Sequence, residues 1–173
     1  SAPDASAVAE RLAALDLLVV ADVLPGETAM AADVVLPVAQ WAEEEGTMTN
    51  LEGRVLRRRR AMAPPHGVRT DLEVISGLAD RLGVAGFPAE PRVVFDELRA
   101  ASAGGIADYA GISYDRLDAG EALHWPCPAL GHPGTPRLFT ERFAHPDGRA
   151  RLTPVDHTPS AELPDADHPL RAT

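Results

Sequence analysis

Two aspartates stand at points where the sequence pattern ends one element or begins another. Asp22 follows the apolar run Leu17-Leu18-Val19-Val20-Ala21, and Asp71 opens the segment DLEVISGLADRL. An apolar run without alternation predicts a strand buried on both faces of a parallel sheet. In open α/β sheets, ligands bind outside the carboxyl ends of such strands. An ionised Asp offers only acceptors, so Asp22 suits a ligand edge with two adjacent donors. Guanine has such an edge in N1–H and N2–H; adenine does not. The same residue can instead cap the turn at 23–26, where Pro25-Gly26 breaks the chain. Asp71 has a simple local role, since negative charge at a helix N-terminus is worth about 0.3–1 kcal/mol.

The other reactive side chains point less clearly to a site. Glu43-Glu44-Glu45 is an acidic triplet that can hold a metal or act as a base, but consecutive carboxylates in a loop read more simply as solvated. Residues 57–60 are four consecutive arginines, suited to a diphosphate or to an acidic neighbouring domain. On a strand, alternation sends two to each face, so a solvated or interdomain surface is the favoured reading. The six histidines (66, 124, 132, 145, 157 and 168) show no i, i+4 pair on a helix and no zinc spacing with Cys127. Cys127 lies between prolines with nothing nearby to lower its pKa, so it reads as a buried structural thiol. One cysteine excludes an internal disulfide, a four-Cys zinc site and an iron–sulfur cluster held by this chain alone. All 16 basic residues are Arg, which excludes a Schiff-base or phosphate-loop lysine. No Gly-rich phosphate loop or nucleophile elbow is present. These residues yield no catalytic group and no metal ligand.

The elements that must position the two aspartates follow from periodicity. A short helix is predicted over 6–15, then a strand over 17–21, one or two helical turns over 27–32 and a strand over 34–36 ended by Pro37. Helix, strand, helix, strand is an α/β pattern. Residues 41–50 read as a loop or short helical turn. The clearest helix is 71–82: Thr70 and Glu73 have capping-box spacing, an apolar stripe runs through Leu72, Ile75, Leu78, Ala79 and Leu82, and Gly83 ends it. A further helix is predicted over 93–101. From Gly104 onward Gly, Pro and His rise and periodicity weakens, which predicts irregular chain with extended pieces at 137–140 and 149–153. The tail 158–169 is acidic and Pro-rich, like an interdomain linker. The 173 residues carry a net charge of −10, which argues against a general nucleic-acid binder and against docking on an anionic membrane. No apolar run approaches the ~20 residues of a spanning helix. There is no initiator Met or signal peptide, and both ends read as cuts in a longer protein.

Across residues 18–83 the motifs are Asp22 at a strand end, Glu27-Thr28, ADVVLP at 32–37, Trp41, Glu43, Glu45-Gly46-Thr47, Asn50, Glu52-Gly53-Arg54, and Asp71 at a helix start. This set of fixed offsets resembles the molybdopterin oxidoreductase family. Trp125-Pro126-Cys127-Pro128, His132-Pro133-Gly134-Thr135 and Gly148-Arg149-Ala150-Arg151 resemble the run-in to that family's last domain, most closely in assimilatory nitrate reductases. The resemblance implies a partial dinucleotide-binding, Rossmann-like α/β domain with parallel strands. An irregular connecting segment would follow, leading to a C-terminal β-barrel domain beyond this chain. The corresponding boundaries are 1–85 for the end of the α/β domain and return to a central body, 86–150 for the connecting segment, and 151–173 for the linker.

The resemblance also implies molybdenum held by bis(molybdopterin guanine dinucleotide), and an iron–sulfur cluster not ligated by this segment. The implied guanine-dinucleotide contacts are Ala21, Asp22, the position of Glu44, and Asp71. Several nitrate reductases carry Lys where Glu44 stands, and a carboxylate there meets a phosphate only through a bridging metal or water. The implied activity of the whole protein is reduction of nitrate to nitrite in the cytoplasm, with electrons from a donor protein or domain. The implied partners are the remaining domains of the same polypeptide, with no nucleic acid and no membrane. Formate dehydrogenase of the same family is the alternative, as is a non-catalytic relative such as the iron–sulfur large subunit of respiratory complex I.

Overall fold

The computed structural model describes residues 4–160 and 163–170. It is a mixed α/β chain with one small parallel and one small antiparallel sheet. Helix α1 (Ala5–Ala13) leads to β1 (Val19–Asp22), α2 (Glu27–Met30) and β2 (Val34–Pro37). Strands β1 and β2 pair in parallel, with Val19 opposite Val34 and Asp22 opposite Pro37. The Asp33 carboxylate fixes the crossover by accepting from the Leu18 amide at 2.8 Å. A parallel bridge between Val38 and Arg69 extends the row, and the Ala39 amide donates to the Arg69 carbonyl at 2.8 Å. Helix α3 (Asp71–Arg81) starts directly after that bridge. Asp22 and Asp71 therefore stand at the same, carboxyl end of one row of extended backbone.

The predicted strand at 17–21 forms two residues later, and its burial differs from expectation. Val19, Val34 and Val35 are 48%, 42% and 45% exposed, so neither face of the pair is fully covered among the described residues. Two strands present too little surface to bury their own apolar side chains.

Residues 41–50 are not wholly loop. Gly46–Thr49 forms β3, antiparallel to β4 (Val55–Arg58), with Thr47 opposite Arg57. The β-branched threonines suit a strand, but Met48 alone gives too little apolar alternation to announce one. Asn50 Oδ1 closes the turn by accepting from the amides of Glu52 (3.0 Å) and Arg54 (2.9 Å). Gly53 adopts φ +81° beneath the Trp125 ring, which lies 3.4 Å from where a Cβ would sit.

Helix α4 spans Pro91–Ser102, starting two residues before the predicted helix because Pro91 serves as a first-turn proline. Helix α5 (Tyr114–Asp118) lies within the stretch expected to be irregular; Ser113 caps it by accepting from the Arg116 amide. The extended pieces expected at 137–140 and 149–153 do not form strands, and Phe139 takes a positive φ of 59°. The core joins Val55 of β4 to Phe95, Ile112, Tyr114, Leu117, Leu123 and Cys127, with Tyr109 and Trp125 packed against it. Cys127 is wholly buried, as a structural thiol should be.

Candidate functional site

Asp22 is exposed at the end of β1. Its Oδ1 accepts from the backbone amides of Val23 (2.7 Å) and Leu24 (3.3 Å), capping the following turn. Its Oδ2 has no protein partner among the described residues. The capping role and an outward acceptor thus coexist on one carboxylate. Ala21, one residue earlier, is exposed opposite Leu36.

Asp71 is the first residue of α3. The capping of that helix is done by its neighbours: the Glu73 amide donates to Thr70 Oγ1 at 3.3 Å, and the Thr70 amide donates to Glu73 Oε2 at 2.8 Å. The Asp71 carboxylate is exposed and makes no hydrogen bond among the described residues, so it is available to a ligand.

Glu44 lies before β3 on the opposite wall of a cleft that Asp71 also lines. The cleft has a volume of about 400 Å³ and runs between the β3–β4 hairpin and the N-terminal ends of α3 and α4. The structure therefore brings Glu44 and Asp71 to one cavity and leaves Asp22 outside its lining. Glu44 is not a free carboxylate, since Arg58 Nη2 donates to its Oε1 at 2.5 Å. Arg57 pairs with Glu45 at 3.4 Å and with Asp118 at 3.4 Å. Glu43 Oε2 accepts from the Gln40 amide at 3.1 Å. The acidic triplet, read from sequence as solvated, and the arginine run, read as a solvated or interdomain surface, are in part each other's partners: strand pairing brings Arg57 and Arg58 to Glu45 and Glu44.

Of two further cleft residues, Arg60 ends the arginine run singled out in the sequence, and Tyr114 gave no signal there. Arg60 lines the cavity and forms no ion pair among the described residues. Tyr114 is 4% exposed, and its hydroxyl is buried without a hydrogen-bond partner. The Arg57 guanidinium stacks 4.1 Å from the Tyr114 ring centre. Burial raises the tyrosine pKa above its ordinary value, and the Arg57 charge opposes that rise. Only the contact between α5 and β4 brings these groups together, and no spacing rule announces it. Among the described residues, no group of three or more His, Cys, Asp or Glu is placed to hold a metal ion. Among them, too, no helix is long and apolar enough to cross a membrane.

Residues 1–81 match the family model described as molybdopterin oxidoreductase. The chain is 46% identical over 177 residues to the assimilatory nitrate reductase catalytic subunit of Bacillus subtilis, covering 100% of this chain and 25% of that protein. It is 41% identical over 175 residues to the F420-dependent formate dehydrogenase subunit alpha of Methanocaldococcus jannaschii, with the same 100% and 25% coverage. It is also 41% identical over 179 residues to the assimilatory nitrate reductase of Haloferax mediterranei, covering 99% of this chain and 25% of that protein. The chain thus spans about a quarter of the length of the relatives it matches. The family match over the first 81 residues and the relatives' coverage of nearly the whole chain agree: this chain belongs to the molybdopterin oxidoreductase family.

Proposed function

We propose that the chain is part of a larger molybdenum oxidoreductase that reduces nitrate to nitrite, and that it contributes contacts to the guanine end of a molybdopterin guanine dinucleotide. The observation that carries the nitrate reading is 46% identity along the full chain to a nitrate reductase catalytic subunit, against 41% to a formate dehydrogenase subunit. The bound group would supply two-electron chemistry by oxygen-atom transfer at molybdenum.

This chain's part is recognition. Asp22 Oδ2 and the Asp71 carboxylate are acceptors without protein donors, at the carboxyl end of one strand row. Each offers acceptors of the kind that the N1–H and N2–H edge of guanine requires. Ala21 lets a ligand approach the strand end closely. Glu44 does not fit a phosphate, because it is an anion already satisfied by Arg58; its part is to hold Arg58 at the cleft wall. The parallel strands belong on this reading to a Rossmann-like domain over residues 1–85. Residues 86–150 would connect it to the linker at 151–173 and a C-terminal barrel. The iron–sulfur cluster would be ligated elsewhere in the polypeptide, with a donor protein or domain supplying electrons in the cytoplasm.

The 41% identity to a formate dehydrogenase subunit favours formate oxidation as the second reading. The test is assay of the purified full-length protein with nitrate and reduced viologen, and with formate and oxidised viologen, alongside molybdenum and guanine-nucleotide analysis. Nitrate turnover with both cofactor components present is expected. Formate turnover alone transfers the assignment to the second reading, and absence of molybdenum overturns both.

A further inference from the structure

A second cavity, lined by neither aspartate, lies between one face of the parallel strands and α3 and reaches Pro37, the register partner of Asp22. Its volume is about 500 Å³, and its apolar lining includes Val19 and Leu36 from the strands and Val74 and Leu78 from the helix. The polar side chains on it are Arg69 and Arg81, with no acid among the lining residues. Neither arginine forms an ion pair among the described residues; Arg81 Nη1 donates to the Gly77 carbonyl at 2.7 Å, and both residues are exposed. In a chain of net charge −10, an apolar groove edged only by cations is an electrostatic exception.

We infer that this groove seats a segment of the same polypeptide lying outside these 173 residues, and that the segment carries apolar side chains flanked by carboxylates that pair with Arg69 and Arg81. Three observations carry it. The chain spans about a quarter of the length of its relatives, so on the proposed reading most of the polypeptide lies outside it. Two apolar residues of its lining, Val19 and Leu78, are 48% and 58% exposed, so the groove is an open apolar surface. Its rim has one sign of charge, and a partner without acids would bury two cations unpaired, which is costly. Val19 and Leu36 lie on the strand face opposite Asp22, and Pro37, the register partner of Asp22, completes the lining. The inference rests on the reading of the chain as part of a larger oxidoreductase, and not on the cofactor contacts.

The test is thiol labelling of the full-length protein with a charged maleimide, read at each site by peptide mass spectrometry. Leu78→Cys reports on the groove, and Leu152→Cys, at a position 94% exposed, is the control. The groove thiol should label more than about tenfold slower than the control, because labelling requires local opening. Adding Arg69→Glu with Arg81→Glu should raise its rate at least about tenfold by repelling the carboxylates, while Arg69→Lys with Arg81→Lys keeps it protected. A groove thiol that labels within tenfold of the control overturns the seat. Protection that survives charge reversal, or is lost equally in the lysine pair, overturns its acidic character. None of these readouts involves molybdenum or nucleotide, so the cofactor reading stands or falls separately.

Discussion

The segment around residues 108–134 and the parallel strands at 19–37 reach their folded form by opposite means. In the first, polar anchors within the segment combine with others to the hairpin and α4, such as Trp125 N–H to the Gly53 carbonyl and Arg99 to the Ala110 carbonyl. The Asp108 carboxylate accepts from the Gly104 and Ala110 amides at 2.7 and 2.8 Å. The Arg116 guanidinium donates to the carbonyls of Gly111 (2.7 Å) and His132 (3.0 Å) and pairs with Glu121. Gly111 and Gly134 let backbone segments touch. The result is Ile112 and Cys127 at 0% exposure in a stretch with almost no regular structure. In the second, the ladder is regular but Val19, Val34 and Val35 are each more than 40% exposed. Regular secondary structure and burial are thus separate properties: the irregular region is buried against the β3–β4 hairpin and α4, and the regular parallel pair stays largely exposed.

The sharpest way to break this contrast is with alanine at glycines in the two regions. A Cβ at Gly111 would stand 2.1 Å from the Ala129 carbonyl oxygen and 2.7 Å from that of Cys127, both backbone atoms that cannot move aside. Gly111→Ala should destabilise by about 3 kcal/mol or more, read from the denaturation midpoint, because overpacking against backbone forces the loop apart. Gly26, at the turn after β1, has nothing within 4 Å and an ordinary φ of −69°. Gly26→Ala should stay within about 0.5 kcal/mol of the parent. Equal effects at the two positions would mean that the loop region is not close-packed.

A smaller effect tests the one polar defect of the irregular core. Tyr114→Phe removes a buried hydroxyl without a partner, so it should leave stability unchanged or raise it by up to about 1 kcal/mol. Burial raises the folded-state pKa of Tyr114. The parent's contribution is therefore complete below the ordinary tyrosine pKa near 10 and declines as alkaline pH ionises the unfolded chain first. The phenylalanine variant should lack that alkaline decline in melting temperature. A loss of more than about 2 kcal/mol in the variant would show that the hydroxyl has a partner.

Much of the regular framework was legible because it rests on local rules. The capping box at Thr70 and Glu73, the stop at Gly83 and the apolar runs at β1 and β2 are all short-range signals. Strand β3 was missed because threonine, not an apolar alternation, makes it. Helix α5 was missed because five residues between glycines carry no period. The pairing of residues 44–45 with 57–58 was missed because it depends on a hairpin the sequence did not announce. For the candidate site, Asp22 and Asp71 could be placed at element ends, but not on a common row. The Val38–Arg69 bridge that aligns them is a long-range contact with no local signature.

The most direct test of the cofactor placement is Asp22→Ala in the full-length protein, with molybdenum and guanine nucleotide measured per polypeptide and turnover measured per molybdenum. Asp22 offers one unpaired carboxylate oxygen at the strand end, and a charged hydrogen bond there is worth about 1.5–3 kcal/mol, so cofactor affinity should fall about ten- to a hundredfold. Both occupancies should drop together while turnover per bound molybdenum stays near that of the parent. Full occupancy with collapsed turnover per molybdenum would put Asp22 in the reacting pocket and contradict the account.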